Sequence, residues 1–385
     1  MSDAEQIHTI ALTQVPGIGV VWGRNLINAM GSAVDVFQRR HEIPHILTGA
    51  TQRVVDALNC PQAIARAERE YEFIQKNKIQ CLTIKDEAYP SRLRECDDAP
   101  IVLFFKGNTD LNAMRIINMV GTRNATEYGK QICLRFLQDL KEICPEVLVV
   151  SGLAYGIDIH AHRAALQYDF PTVGVLAHGL DRIYPATHRR TAVEMLDKGG
   201  LLTEFITETT PDRHNFVSRN RIVAGMSDAT IVVESASKGG SLITADLAQG
   251  YHRDCFAFPG RYTDAQSQGC NQLIQDNKAA LIQSAENFVK MMCWSGPEAG
   301  RPGFHAGPEA GRPGFHAGGQ QRELFPDLTE EETQIVNLLS NNESVHLNNL
   351  VIATDIPIHR MNALLFELEM KGIIHVKAGN LYQLI

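Results

Sequence analysis

Between Ile116 and Gly260 short apolar runs alternate with helical segments: Ile116–Val120 then Tyr128–Ile143, Val147–Val150 then Ile157–Gln167, and Thr172–Ala177 then Arg189–Leu196. Two more apolar runs follow, Leu201–Phe205 and Ala229–Val233. This alternation leaves little choice of fold, because it implies a mostly parallel sheet with helices on both faces. In doubly wound sheets ligands sit outside the carboxyl ends of the strands, so the turns leaving the runs carry the information. Gly121-Thr122-Arg123 follows the first run, and Ser151–Asp158, with Gly152 and Gly156, follows the second. Lys238-Gly239-Gly240-Ser241 follows the last. Each turn opens a helix and presents backbone N–H groups to an anion. One such turn alone is as often a tight strand-to-helix connection as a site. Three at one sheet edge are a stronger signal.

The stretch Arg213–Ile222 packs three arginines and Phe216 into ten residues between two strand-like runs. Guanidinium groups, an aromatic face and open amides together suit a phosphate chain with stackable bases. Arg123, Arg213, Arg219 and Arg221 are the candidate phosphate contacts, with Lys238 as an outer charge and Asn220 beside them. Glu204, Glu208 and Asp212 are near enough in sequence to engage some of these arginines in ordinary ion pairs. Arg219 and Arg221 share a face if the segment is extended and diverge if it is helical. In the helical case at least one is structural, bracing the Gly121 or Gly152 turn. Phe216 has two readings, a ring stacked on a base or a core ring behind the Ser151 turn.

The net charge of −8 confines any nucleic-acid site to a local patch. The eight cysteines show no C-x-x-C pair, so reduced thiols are expected in place of zinc or disulfides. His160 and His162 read as helix-face residues, since no companion metal cluster accompanies them. The start Met1–Glu5 is acidic where a signal peptide is basic, and no apolar run approaches a bilayer span. A cytoplasmic protein without membrane contact is the expectation. No cofactor is expected: the turns depart from G-x-G-x-x-G, and Thr172–Ala177 ends in His178-Gly179 without a ribose-binding acid. A nicotinamide enzyme ranks third.

The chain divides into a helical domain over 1–75, a bridge and α/β domain over 76–290, a linker over 291–325 and a small domain over 326–385. In the first, Val15-Pro16-Gly17-Ile18-Gly19 resembles the hairpin of helix-hairpin-helix modules and equally spells a tight turn. Four arginines against five acids in residues 1–60 favour the plain turn. The linker repeats Gly296–Ala306 letter for letter as Gly307–Ala317, and its glycines and prolines oppose helix and sheet alike. Residues 328–385 have a winged helix-turn-helix layout: a capped helix from Leu328, then Leu347–Ala353, Ile358–Lys371 and two strands, Ile373–Val376 and Leu381–Leu384. Eight acids against three bases across 326–385 favour a protein contact or a regulatory role over DNA. Leu273–Val289 reads as one helix, apolar enough to serve a dimer interface or to pack on its own sheet.

Taken together, Gly121-Thr122-Arg123, Ser151–Asp158, Gly179-Leu180-Asp181 with Tyr184-Pro185, Phe216-x-x-Arg219-Asn220-Arg221, Gly240–Ala245 and Phe258-Pro259-Gly260 resemble the DprA/Smf family of DNA-processing proteins. The likeness is close from about Tyr89 to Ile282. Val217 stands where the family commonly has proline, and Thr203 where it has serine. The resemblance implies an extended Rossmann fold and homodimerisation. It also implies single-stranded DNA binding without sequence preference, protection of incoming DNA, and loading of a RecA-type recombinase in natural transformation. No catalytic activity follows from it. The rival reading is a phosphoribohydrolase of the lysine-decarboxylase-like group, with Asp246 as its acid or base. Against it, Gly239-Gly240-Ser241 lacks the preceding proline, and one carboxylate without a partner is more often solvated.

Overall fold

The structure, a computed structural model, describes residues 2–294, 328–340, 344–371, 373–377 and 380–384. The repeated linker expected over 291–325 lies outside them from residue 295 onward, as do two residues of the expected final turn, 378 and 379. Two compact units are present, 1–285 and 286–385.

The first unit begins with helices α1 (Asp3–Thr13), α2 (Val20–Met30), α3 (Ala33–Gln38), α4 (Ile43–Ile46), α5 (Gln52–Leu58) and α6 (Pro61–Asn77). A nine-stranded sheet follows: β1 (Gln80–Thr83), β2 (Val102–Gly107), β3 (Ile116–Val120), β4 (Leu148–Ser151), β5 (Thr172–Val175), β6 (Gly199–Thr203), β7 (Ala229–Val232), β8 (Asp254–Ala257) and β9 (Ala280–Leu281). The strand order is β1-β2-β6-β5-β4-β3-β7-β8-β9. β1, β2 and β6 pair antiparallel, and the run from β6 to β9 is parallel. The two-residue alternation of β2 lets one strand serve two cores. Leu103 and Phe105 join Tyr89, Val150, Val173 and Leu202 in the core of the sheet. Val102 and Phe104 join Ile10, Leu12, Leu26 and Ile74 of the helical layer. The helices of residues 1–75 therefore share a core with the sheet.

A short helix α7 (Ser91–Arg94) precedes β2, and the crossovers are α8 (Glu127–Ile143), α9 (Ile157–Gln167), α10 (Arg189–Asp197), α11 (Arg213–Gly225), α12 (Gly240–Gly250) and α13 (Gln268–Gln275). In α8 the buried residues Gly129, Cys133, Phe136, Leu137 and Leu140 keep helical spacing and form the face laid on the sheet. From β3 the chain winds outward through β4, β5 and β6, then returns to lay β7 on the other side of β3. The reversal opens a crevice at the carboxyl ends of β3 and β7.

Leu273–Val289 is not one helix. Asn277 adopts φ +54 and ends α13, Ala280–Leu281 pairs with β8 as β9, and α14 (Ala285–Met291) starts afresh. Leu273 belongs to the sheet core and Ile282 is fully buried, so these two apolar residues are spent on packing within the chain.

In the second unit α15 (Glu330–Ser340), α16 (Leu347–Thr354) and α17 (Ile358–Met370) pack with the strands β10 (Val345–His346), β11 (Ile374–Lys377) and β12 (Leu381–Leu384). The helix start expected at Leu328-Thr329-Glu330-Glu331 is capped, reciprocally by Thr329 and Glu332: Thr329 N donates to Glu332 Oε2 at 2.9 Å and Glu332 N donates to Thr329 Oγ1 at 3.3 Å. β10, too short for a period to show in the sequence, adds a third strand beside β12. On α17, Arg360 is held by Glu331 at 2.9 Å, an exposed ion pair within this unit.

Candidate functional site

The three glycine turns meet at the crevice and lock one another. Thr122 N donates to the Glu234 carbonyl at 2.7 Å, and Ile157 N donates to the Thr122 carbonyl at 3.1 Å. A side chain on Gly121 would meet Glu234 O at 2.7 Å, and one on Gly156, itself at φ +79, would run into the Thr122 carbonyl. These glycines are present because backbone lies against backbone. The Glu234 carboxylate accepts from Thr126 N at 2.9 Å and from its hydroxyl, tying β7 to the start of α8. Much of the hydrogen-bonding capacity expected to face an anion is thus spent on holding the turns. The opening of α12 is different. Its N-cap, Gly239, has no side chain to cap the first turn, and the first residues of that turn, Gly240 and Ser241, line the groove.

The groove has a volume of about 600 Å³. Gly121, Thr122 and Arg123 line it from the β3 turn, Lys238, Gly239, Gly240 and Ser241 from the β7 turn, and Arg213, Phe216, Arg219 and Asn220 from α11. The segment holding the arginines is helical, and the exposed face of α11 at Arg213, Phe216, Val217 and Asn220 follows the i, i+3, i+4, i+7 pattern. Asp212 caps that helix, accepting from Asn215 N at 2.8 Å.

Phe216 is half-buried in the groove wall. The Arg123 guanidinium carbon lies 4.9 Å from its ring centroid and that of Arg219 5.9 Å, while Tyr184 tilts against it at 6.0 Å. Each cation gains from the ring quadrupole, and the ring gains a rigid seat. Tyr184 was absent from the sequence-based site; its loop follows β5, and Tyr184 N donates to His178 Nε2 at 3.2 Å. Tyr184-Pro185, close behind a strand end, was the available signal.

Two arginines leave α11 on opposite sides, about 200° apart at 100° per residue. Arg219 is 3 % exposed, donates to the Val175 carbonyl and fills the space over Gly152, where any side chain would collide with its guanidinium. Its Nε has no hydrogen-bond partner among the described residues. Burial lowers Arg219 to about 10 against the opposing pull of Asp158. Burial also raises the Asp158 carboxyl, offset in part by Arg219 and by the Ala154 and Gly152 amides. Arg219 therefore stays cationic at neutral pH, as a brace beneath the groove floor.

Arg221 corrects the sequence reading. It does not line the groove; it pairs with Glu204 and donates to the Asp98 carbonyl, the two side chains being 9 % and 12 % exposed. Ser151 also stays out of the groove: fully buried, it donates to the Met119 carbonyl at 2.6 Å and ties β4 to β3. Gly152 and Gly156 act through contacts with Arg219 and the β3 turn and do not line the groove. Asp246, the candidate acid or base of the hydrolase reading, is held by Lys278 at 2.8 Å and is likewise not a groove residue. The groove carries four cationic side chains, Arg123, Arg213, Arg219 and Lys238, against the carboxylates of Asp158 and Asp212.

His162 is fully buried in α9. Thr172 Oγ1 donates to the Val149 carbonyl at 2.9 Å, so it accepts from His162 Nδ1 at 2.7 Å, which leaves Nε2 unprotonated and without a partner among the described residues. Burial holds this ring down to about 3. It is a neutral core residue.

Comparison with known proteins shows the family. Residues 80–293 match the family described as DNA recombination-mediator protein A, and residues 322–380 match the DprA winged helix domain. The chain is 39% identical over 242 residues to DNA processing protein DprA of Streptococcus pneumoniae, covering 61% of this chain and 84% of that one. Protein Smf of Synechocystis is 27% identical over 399 residues, 100% of both chains. Among solved structures, DNA processing protein A of Streptococcus pneumoniae superposes with a TM-score of 0.58 at 29% identity, over 75% of this chain and 98% of that one. That of Helicobacter pylori, described for a unique single-stranded DNA binding mode, gives 0.51 at 29% identity, over 56% and 96%. The chain belongs to the DNA recombination-mediator protein A family, the DprA/Smf proteins.

Proposed function

We propose that this chain binds single-stranded DNA without sequence preference, through the groove between the β3 and β7 turns, and does no covalent chemistry on it. The observation that carries the reading is Phe216, an aromatic seat among Arg123, Arg213 and Lys238 at the open end of α12. Base stacking is indifferent to sequence because every base has a π-face, and the cations meet phosphates whatever the base. A duplex hides those faces. The Helicobacter pylori relative, with its single-stranded DNA binding mode, supports the assignment. Protection of incoming DNA and loading of a RecA-type recombinase during natural transformation, by a cytoplasmic homodimer, complete the proposal and rest on family membership.

Gel-shift and nuclease-protection assays on matched single-stranded and duplex oligonucleotides test it. Preference for the single strand, with affinity falling steeply in salt, is the expected result. Equal affinity for duplex, or free base released at steady turnover from nucleoside monophosphates, would overturn it.

A further inference from the structure

Beyond the groove, the same sheet edge carries a second open pocket that none of the groove residues shares. It lies past β8, has a volume of about 610 Å³ and is lined by Tyr128, Pro259, Gly260, Arg261 and Asp264. Its frame is fixed: Tyr128 Oη donates to the Pro259 carbonyl at 2.6 Å, and Asn271 closes Gly260 from both sides, accepting from its N–H at 3.2 Å and donating to its carbonyl at 3.0 Å. On this rigid loop Tyr262 projects with 87 % of its surface exposed, and half of Tyr128 faces solvent. Two exposed aromatic rings, Tyr128 at the pocket wall and Tyr262 on the loop beside Arg261, together with a guanidinium, supply the stacking faces and the cation that a single strand uses.

We infer that Tyr128, Arg261 and Tyr262 form a second stacking subsite for single-stranded nucleic acid, continuing a strand that leaves the groove. The inference rests on the groove being the primary site. Its path is set by the sheet: β3, β7 and β8 are successive neighbours, which places the β8 loop about 10 Å from the β3 turn at ~5 Å per strand. The β7 turn between them presents Lys238, exposed, to a passing phosphate. That turn is also joined to the far side, since Gly269 N donates to the Ser235 carbonyl at 2.8 Å. Arg261 takes a phosphate at the far end. Asp264 disfavours phosphate inside the pocket itself, so the base enters and the backbone stays at the rim.

The test measures fluorescence anisotropy of labelled oligo-dT with the full chain, using a strand just long enough for the groove and one about three times longer. Tyr262→Ala should weaken the long strand about tenfold and leave the short one unchanged. Arg261→Ala should lower the salt slope by about 0.7 for the long strand alone. Equal binding of the long strand by parent and Tyr262→Ala would overturn the subsite while leaving the groove intact. Equal loss on both strands would place Tyr262 within the primary site and also overturn it. A parent protein that binds neither strand would sink the groove reading and this one together.

Discussion

Arg221→Ala tests the register of α11. The substitution leaves the Glu204 carboxylate 12 % exposed without its cation, and among the described residues Glu204 Oε1 already lacks a hydrogen-bond partner. Burial raises the Glu204 carboxyl, and Arg221 is the strongest influence holding it ionised. Removing one member of a buried pair costs about 3–5 kcal/mol, largely because the remaining charge is stranded. For a unit of this size each kcal/mol shifts Tm by about 2–4 °C, so the melting temperature should fall by roughly 10 °C. Single-strand affinity and its salt slope, measured well below that Tm, should match the parent, because Arg221 faces away from the groove. The double substitution Arg221→Met with Glu204→Gln should recover most of the loss, since no charge is then buried alone. Differential scanning calorimetry and a salt titration of binding decide the matter. An Arg221→Ala protein that melts like the parent and loses salt dependence would refute the ion pair and return Arg221 to the interface.

Phe216→Ala should weaken single-strand binding by about 1–3 kcal/mol with an unchanged salt slope, whereas Arg213→Ala, exposed and without an ion-pair partner among the described residues, should lower the slope by about 0.7 without changing Tm. His162 links stability to acid: its folded value near 3 lies below the unfolded value of about 6.5, so the unfolded chain takes up the extra proton. Stability should be full above about pH 6.5 and fall by about 2 kcal/mol at pH 5, and His162→Asn, which keeps a donor for Thr172, should shrink that fall in urea titrations at both pH values. Gly156→Ala, which combines φ +79 with a collision against the Thr122 carbonyl, should cost about 1–3 kcal/mol in urea melts and impair binding by displacing the β3 turn.

Much of the sheet was legible because strands such as Ile116–Val120 and Leu148–Ser151 are short, largely apolar runs and helices such as Glu127–Ile143 show their own period. Ile157–Gln167 and Leu381–Leu384 came out at the bounds the sequence implied. The Thr329 cap was legible for the same local reason: two side chains three residues apart satisfy each other's backbone. The break in Leu273–Val289 was not, because an asparagine at φ +54 looks like any other until the strand beyond it finds β8.

By itself the sequence determined which residue types gather at the crevice, since parallel strands and their short turns deliver Gly121, Gly152 and Gly239 to one edge wherever the chain folds this way. It could not divide the arginines. Arg213, Arg219 and Arg221 look alike along the chain, and their roles are assigned by partners 17 to 123 residues away: Glu204 and Asp98 for Arg221, Val175 for Arg219. A charge is made structural or available by whether packing removes it from water beside a partner, and that depends on distant strands arriving at the same place. Only the tertiary structure decides it.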